Sequence, residues 1–234
     1  MRSLTQADFL ALWETGRSLH PLDQGVLAVR TAFPEVQDDV ADWPIGRRNR
    51  ALAEVRCASF GTAFGGWTAC RGCGEQLEFN LDGRSLMQMP AADSQASVTV
   101  QGQRYRLPTS RDLATVVDEP DPARAARRLL RQCCDSADVP ESGWSDEQVG
   151  LVGDCMAEAD PLAQILLGFD CPGCGMHFDE SLDLPSFLWT EVEARATRLL
   201  LDVHVLASAY GWSEAEVLGL SPARRAVYLK MVQA

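Results

Sequence analysis

The sequence predicts an α+β fold that is mostly helical and organised around a small β module divided between two distant segments. Three observations predict it. Two C-x-x-C-G turns, Cys70-Arg-Gly-Cys73-Gly74 and Cys171-Pro-Gly-Cys174-Gly175, stand 101 positions apart, and each runs into a strand-like stretch. From Leu188 through Val192, Ala196, Leu199, Val203 and Leu206 to Tyr210, apolar residues recur every three or four positions, the signature of one long helix face. Capped helical patterns fill most of the remaining chain.

The elements follow in order. Thr5 with Asp8 three residues on reads as a capped helix start, filled by Phe9, Leu10, Leu12 and Trp13 and ended by Gly16. His20-Pro21-Leu22-Asp23 opens a second helix, with proline in the first turn, where a missing N–H costs little, and Pro34 stops it. Trp43-Pro44-Ile45 opens a third, running through Leu52 and Val55 to Phe60; Gly61, Gly65 and Gly66 are then expected to break the chain. Leu77-Glu-Phe-Asn-Leu81 alternates as a half-buried strand does, and Ser97 to Leu107 turns around Gln101-Gly102 as a hairpin. Pro108-Thr109-Ser110 caps a short helix, Asp121-Pro122 opens another to about Cys134, and Ser145 caps one through Val149, Leu151 and Met156. Ile165 to Phe169 is expected as a buried strand leading into Cys171. Leu184-Pro185 opens the longest helix, Gly211 ends it, and Ser213 and Ser221 cap two short helices.

A C-x-x-C turn points two thiolates at one tetrahedral metal, while glycine lets the backbone curl beneath it. One such turn is half a structural zinc site. A shift of 101 positions superposes Cys70 on Cys171, Cys73 on Cys174, Gly74 on Gly175, Leu77 on Phe178, Leu81 on Leu182 and Asp82 on Asp183. This internal repeat predicts that Cys70, Cys73, Cys171 and Cys174 share one structural zinc in a split, zinc-ribbon-like β module. The expected organisation is a helical region over 1–66, the split module over 67–183 with a helical insertion at about 109–160, and a helical region over 184–234. A redox dithiol is the rival chemistry, but it needs an exposed, low-pKa cysteine at a helix N-terminus, and each pair here leads into a strand pattern. Cys57, Cys133, Cys134 and Cys155 lie in apolar helical patterns and read as buried free thiols.

Other chemistry is sparse. His177, three residues past Cys174, is a further candidate ligand that four cysteines leave unneeded; His20 and His204 read as capping or packing residues. Asp82 and Asp183 suit turn formation. There is no Gly-x-Ser-x-Gly elbow, Gly-x-Gly-x-x-Gly run or P-loop, so an enzyme is unsupported.

In 234 residues, 46% are hydrophobic and 23% charged, as in an ordinary globular chain, but the net charge of −12 repels nucleic acid and anionic membrane unless a basic patch is segregated. Arg47, Arg48 and Arg50 form one basic cluster; Arg124, Arg127, Arg128 and Arg131 form another, at the spacing of a solvated helix face. No leader and no membrane-spanning run is visible. With two C-x-x-C pairs, these features lead to the expectation of a metal-binding protein in the reducing cytoplasm.

Several stretches together carry a resemblance. They are Leu10-Ala-Leu-Trp-Glu-Thr-Gly with His20-Pro-Leu-Asp, Gly46-Arg-Arg-Asn-Arg with Ser59-Phe-Gly, and the two knuckles with Arg106-Leu-Pro-Thr-Ser-Arg-Asp-Leu between them. Further on stand Phe187-Leu-Trp-Thr-Glu-Val-Glu, Val203-His-Val-Leu-Ala-Ser-Ala-Tyr-Gly-Trp-Ser-Glu-Ala-Glu-Val-Leu and Leu220-Ser-Pro-Ala-Arg-Arg. The combination resembles the baseplate-associated family of contractile phage-tail-like particles and extracellular contractile injection systems, itself similar to baseplate hub assembly chaperones of contractile-tailed phages. The resemblance implies a non-enzymatic role in assembling, or forming part of, a baseplate or hub, with baseplate and hub proteins as partners. Trp189, Tyr210, Trp212 and Tyr228 are the candidate partner-binding anchors, and each serves equally well as filler of this protein's own core. Two rival readings are a zinc-ribbon nucleic-acid-binding or regulatory protein, which the acidic charge opposes, and a thiol-disulfide enzyme, which tightly bound zinc excludes.

Overall fold

Thr5, Asp39, Asp82, Thr109, Asp121, Ser145, Asp183 and Ser213 each place a side-chain oxygen on a backbone N–H at a helix start, and these caps set the rhythm of the chain. The computed structural model describes residues 1–93, 95–136 and 143–233; of these, 55% are helical and 16% lie in strands. The helices are α1 (Gln6–Gly16), α2 (Pro21–Ala32), α3 (Ile45–Phe60), α4 (Gly83–Gln88), α5 (Ser110–Ala114), α6 (Pro122–Cys133), α7 (Asp146–Ala159), α8 (Leu184–Tyr210), α9 (Glu214–Gly219) and α10 (Pro222–Gln233). The strands form three antiparallel hairpins: β1 (Ala63–Ala69) with β2 (Gln76–Asp82), β3 (Ser97–Val100) with β4 (Gln103–Arg106), and β5 (Leu166–Asp170) with β6 (His177–Ser181). The chain is thus a mostly helical α+β protein with a cysteine module, as its sequence predicts.

An isolated two-stranded hairpin is marginal in water, so each must lean on something else. The main core lies between α1, α2, α3 and α8, where α8 buries Leu184, Leu188, Val192, Ala196 and Leu199; Leu206 is buried too, outside that cluster. The apolar stripe leaves this core near its end: Val203 is half-buried and Tyr210 is exposed, because α8 there meets α9 and α10 instead of α1 to α3. A smaller second core unites β3, β4, α6 and α7 through Val100, Tyr105, Leu130, Cys134, Trp144 and Val152. Within it, Trp144 Nε1–H donates to the Tyr105 hydroxyl at 3.0 Å.

Buried polar contacts fix how the helices meet. The α3 start has no side-chain cap; the Ile45 N–H donates to the Pro108 carbonyl at 3.1 Å and the Gly46 N–H to Asp160 Oδ2 at 2.8 Å. A Cβ on Gly46 would lie 1.8 Å from Asp160 Oδ1, so the carboxylate occupies the space that any other residue needs. Arg56 joins α3 to α8 by a two-pronged contact with Glu191, at 2.9 and 2.7 Å, and lies over the Phe64 ring at 4.2 Å. Buried ion pairs add little net stability but penalise any packing that separates them.

Four local expectations change. Gly61 does end α3, at φ +91°, but Gly65 and Gly66 are no break: they lie in strand β1, paired in register with β2 from Ala63↔Asp82 to Ala69↔Gln76. Phe79 lies across Gly66, where a Cβ would meet its ring at 2.6 Å; the missing side chain is what lets the ring in. Strand β5 is not buried throughout: Leu166 is exposed and Phe169 alone is fully enclosed, because a two-stranded hairpin has only one covered face. Arg48 belongs to no surface cluster; it is 3% exposed. Among the four other cysteines, Cys133 and Cys134 are buried but Cys57 and Cys155 only half-buried, and Cys134 lies past the end of α6, bridged to Tyr105.

Asp160 is 1% exposed, and its Oδ1 has no hydrogen-bond partner. Burial raises its pKa above the ordinary 3.8, opposed by the Gly46 amide and more remotely by that of Ala92. A carboxyl raised in the folded state favours its protonated form there. Its contribution to stability is therefore present below pH 3.8 and lost as pH rises through the folded value. Asp160→Asn keeps an oxygen for Gly46 and removes the charge. Thermal melts of this variant should lose less stability than the parent between about pH 4 and neutrality; identical pH profiles would show that the carboxylate is not desolvated.

Candidate metal centre

The two hairpins build the same turn twice. In the first, the Cys70 N–H donates to the Glu75 carbonyl at 2.8 Å and the Gly74 N–H to the Cys70 carbonyl at 2.9 Å. In the second, the Cys171 N–H donates to the Met176 carbonyl at 2.9 Å and the Gly175 N–H to the Cys171 carbonyl at 2.8 Å. Gly74 and Gly175 have φ of +78° and +72°, the left-handed region in which an L side chain is strained. The repeat extends further than the cysteines, since Asp82 and Asp183 cap α4 and α8 directly after the second strand of each hairpin.

The four sulfurs interleave. Cys70 Sγ lies 3.6 Å from Cys174 Sγ and Cys73 Sγ 3.5 Å from Cys171 Sγ, and all four are within 4.8 Å of one another. Metal–sulfur bonds of about 2.3 Å in a tetrahedron require sulfurs about 3.8 Å apart, so the cluster has the size to hold one ion. Cys70 and Cys171 are buried and Cys73 and Cys174 exposed, as two equivalent units facing each other would give. Beneath them, Phe169 and Phe178 stack at 5.5 Å with Phe79 edge-on to Phe169 at 6.1 Å, a small apolar floor flanked by Leu77 and Leu167. Arg71 and Glu180 tie one hairpin to the other at 2.9 Å on the surface.

The backbone prepares one sulfur for negative charge. Amides of Gly72 and Cys73 directed at Cys70 bring its thiol down to about 7, the Gly72 N–H at 3.4 Å. The Glu75 amide acts on Cys73 in the same sense, but the neighbouring sulfurs, Cys171 first, outweigh it and push that thiol up to about 12. Four thiols this close resist joint ionisation, and a cation between them removes the obstacle. His177 is not part of the group: its Nδ1 is 2.9 Å from Asp170 Oδ1 across the last β5–β6 pair, a contact that raises the imidazole pKa.

The candidate partner-binding residues divide. Trp189 is half-buried against the main core and covers Gly16, where a Cβ would meet its ring at 2.3 Å. Tyr210, Trp212 and Tyr228 instead form a cluster of their own: Tyr210 stacks on Trp212 at 4.7 Å, and Tyr228 meets them edge-on at 5.8 and 4.9 Å. Gly211, at φ +70°, turns the chain between the first two rings. Buried Arg225 pairs with Asp202 of α8 at 3.0 Å and donates to Gln6 Oε1 of α1, holding α10 in place. Val227, Met231 and Val232 remain exposed on α10. Local sequence gives no signal for the Arg225 clamp, whose partners stand far away along the chain.

The fold and the cluster define a helical α+β protein with a four-cysteine site able to hold a metal ion. Compared with known proteins, the chain matches no protein-family model, no curated protein and no solved structure. Among the described residues, no helix is long and apolar enough to cross a membrane.

Replacing Cys171 by serine should empty the site and lower the melting temperature by ~10 °C or more, since structural zinc contributes roughly 10–16 kcal/mol. Cys155→Ser, outside the cluster, should shift it by only ~2–4 °C, the equivalent of about 1 kcal/mol. Similar melts for the two variants would mean that the four thiols carry no structural ion.

Proposed function

We propose that this protein is a non-enzymatic, zinc-clipped scaffold that binds other proteins during assembly of the baseplate or hub of a contractile phage-tail-like particle, as an assembly chaperone or a resident part. The observation that carries the reading is the pairing of a closed four-cysteine cluster with an aromatic and apolar surface on the last helices. Four thiolates in tetrahedral array suit zinc over harder cations. With all four positions filled by protein, such a zinc keeps no open site for substrate, which supports a structural role. Tyr210, with Val227, Met231 and Val232 beside the Trp212–Tyr228 pair, offers the kind of anchor that carries interface energy. The family resemblance supplies the particular setting. A net charge of −12 disfavours the nucleic-acid reading.

Elemental analysis of protein purified without chelator should give about one zinc per chain; two metals or none would remove the shared clip. Val227→Glu with Met231→Glu changes exposed positions and should leave zinc content and circular dichroism unaltered. In cells producing contractile particles, that variant should cut particle yield at least tenfold and lose its hold on the purified hub component. Normal particle yield from the folded, zinc-bound variant would refute the docking role.

A further inference from the structure

Trp67 on β1 is 65% exposed, more than any other large apolar side chain among the described residues. Side chains alternate along a strand, so Gly65 and Trp67 share one outward face with Gln76, Glu78 and Asn80 of β2. These five residues line an open depression of about 720 Å³. Glu78 stands directly across the ladder from Trp67, and Asn80 directly across from Gly65. A Cβ on Gly65 would meet nothing within 4 Å, so the ground beside the indole is clear. Among the described residues, no ring or cation lies against Trp67 and no cation pairs with Glu78. The other charges of this hairpin are spent: Arg71 on Glu180 at 2.9 Å and Asp82 on Arg84 at 3.0 Å. Glu75 and Glu78 are left as exposed carboxylates without an ion pair. A single exposed apolar side chain is ordinary on a protein surface, but the internal repeat sets this one apart. The shift of 101 positions carries Glu78 to Asp179 and Trp67 to Gly168, and Gly168 faces Asp179 just as Trp67 faces Glu78. The second hairpin forms around its cysteines with no ring at that place, so neither strand pairing nor the cysteine cluster requires one.

We infer that the outward face of β1–β2 is a docking site for an arginine in a basic segment of a partner protein, its guanidinium flat on the Trp67 indole and its edge on the Glu78 carboxylate. Tryptophan offers a cation the strongest aromatic face, and a planar guanidinium both stacks on it and donates two parallel N–H bonds to a carboxylate. Charge complementarity selects this occupant. Two unpaired carboxylates and no unpaired cation on the hairpin, in a chain of net charge −12, attract a basic segment and repel an acidic one. Gln76 and Asn80 flank the pair with amides that can bond the backbone of the docked segment. A neutral sugar also stacks on indole, but without a charge it gains less from Glu78. This face is separate from the α10 surface, and it stands or falls independently of the assembly role.

Titration of the full chain, followed by NMR of its backbone amides and tryptophan indole N–H groups, tests the site with acetyl-Arg-Gly-Arg-amide, the matching lysine and citrulline peptides, and maltotriose. The arginine peptide should move the Trp67 indole and the amides of β1 and β2 most. Citrulline keeps the shape and removes the charge, so its peptide should bind at least tenfold more weakly; the lysine peptide should bind more weakly than the arginine one. Trp67→Thr keeps a strand-forming residue at an exposed position and should lower affinity at least tenfold with circular dichroism unchanged. Glu78→Gln, isosteric and also exposed, should weaken binding at least fivefold with Trp67 intact, which covers the case in which Trp67→Thr does not fold. The inference is overturned if the arginine peptide does not bind, if its shifts spread over the acidic surface while Trp67 stays still, if the citrulline or lysine peptide binds as tightly, if maltotriose binds more tightly, or if a folded variant retains full affinity.

Discussion

Four sulfurs within 4.8 Å of one another, drawn from hairpins 101 positions apart, impose the constraint on which the rest of the fold depends. Closing so long a segment costs conformational entropy, and neither hairpin is stable alone. The apolar floor of Phe79, Phe169 and Phe178 offsets part of that cost. An ion held between the four sulfurs, which are close enough to bind one, would offset far more. Each hairpin then passes through an aspartate cap into a helix, α4 after the first and α8 after the second. The cysteine cluster therefore sets where α8 begins, and α8 is the spine on which α1, α2 and α3 pack.

Directional polar contacts refine what the apolar core leaves loose. Apolar packing is tolerant of small rotations, whereas a two-pronged Arg56–Glu191 contact is not. Gly46 against Asp160 similarly fixes the approach of α3 to the end of α7, with an unpaired carboxylate oxygen as its cost. Arg48 is fixed in the same way. It is held by Asn49 and Ser110, and the charge of Asp183 favours its cationic form against the cost of burial.

Aromatic residues play two different parts in the region from α8 onward. Trp189 spends its ring on the glycine of α1 and adds to the core. Tyr210, Trp212 and Tyr228 pack on one another beyond the point where the main core ends, held by the Arg225–Asp202 pair beneath. A rigid aromatic group with apolar neighbours facing outward loses little entropy when a partner covers it, which suits a docking surface.

Much of this was legible locally. The capping residues from Thr5 to Ser213 sit where a side chain meets an amide two or three positions on, so a short window of sequence contains the whole interaction. The paired knuckles were legible through repetition, because Cys70 and Cys171, Gly74 and Gly175 obey the same backbone geometry twice. The tertiary structure decided what depends on distant partners. Strand β1 is nearly featureless in sequence, and only pairing with β2 and the ring of Phe79 over Gly66 makes it a strand. Arg47, Arg48 and Arg50 look alike in the chain, yet only Arg48 is turned inward, because α5 and the start of α8 close over that side of α3. Sequence determines interactions whose two halves are neighbours, and a long apolar stripe such as that of α8 also marks its covered face; the burial of a single polar residue such as Arg48 depends on which distant elements close over it.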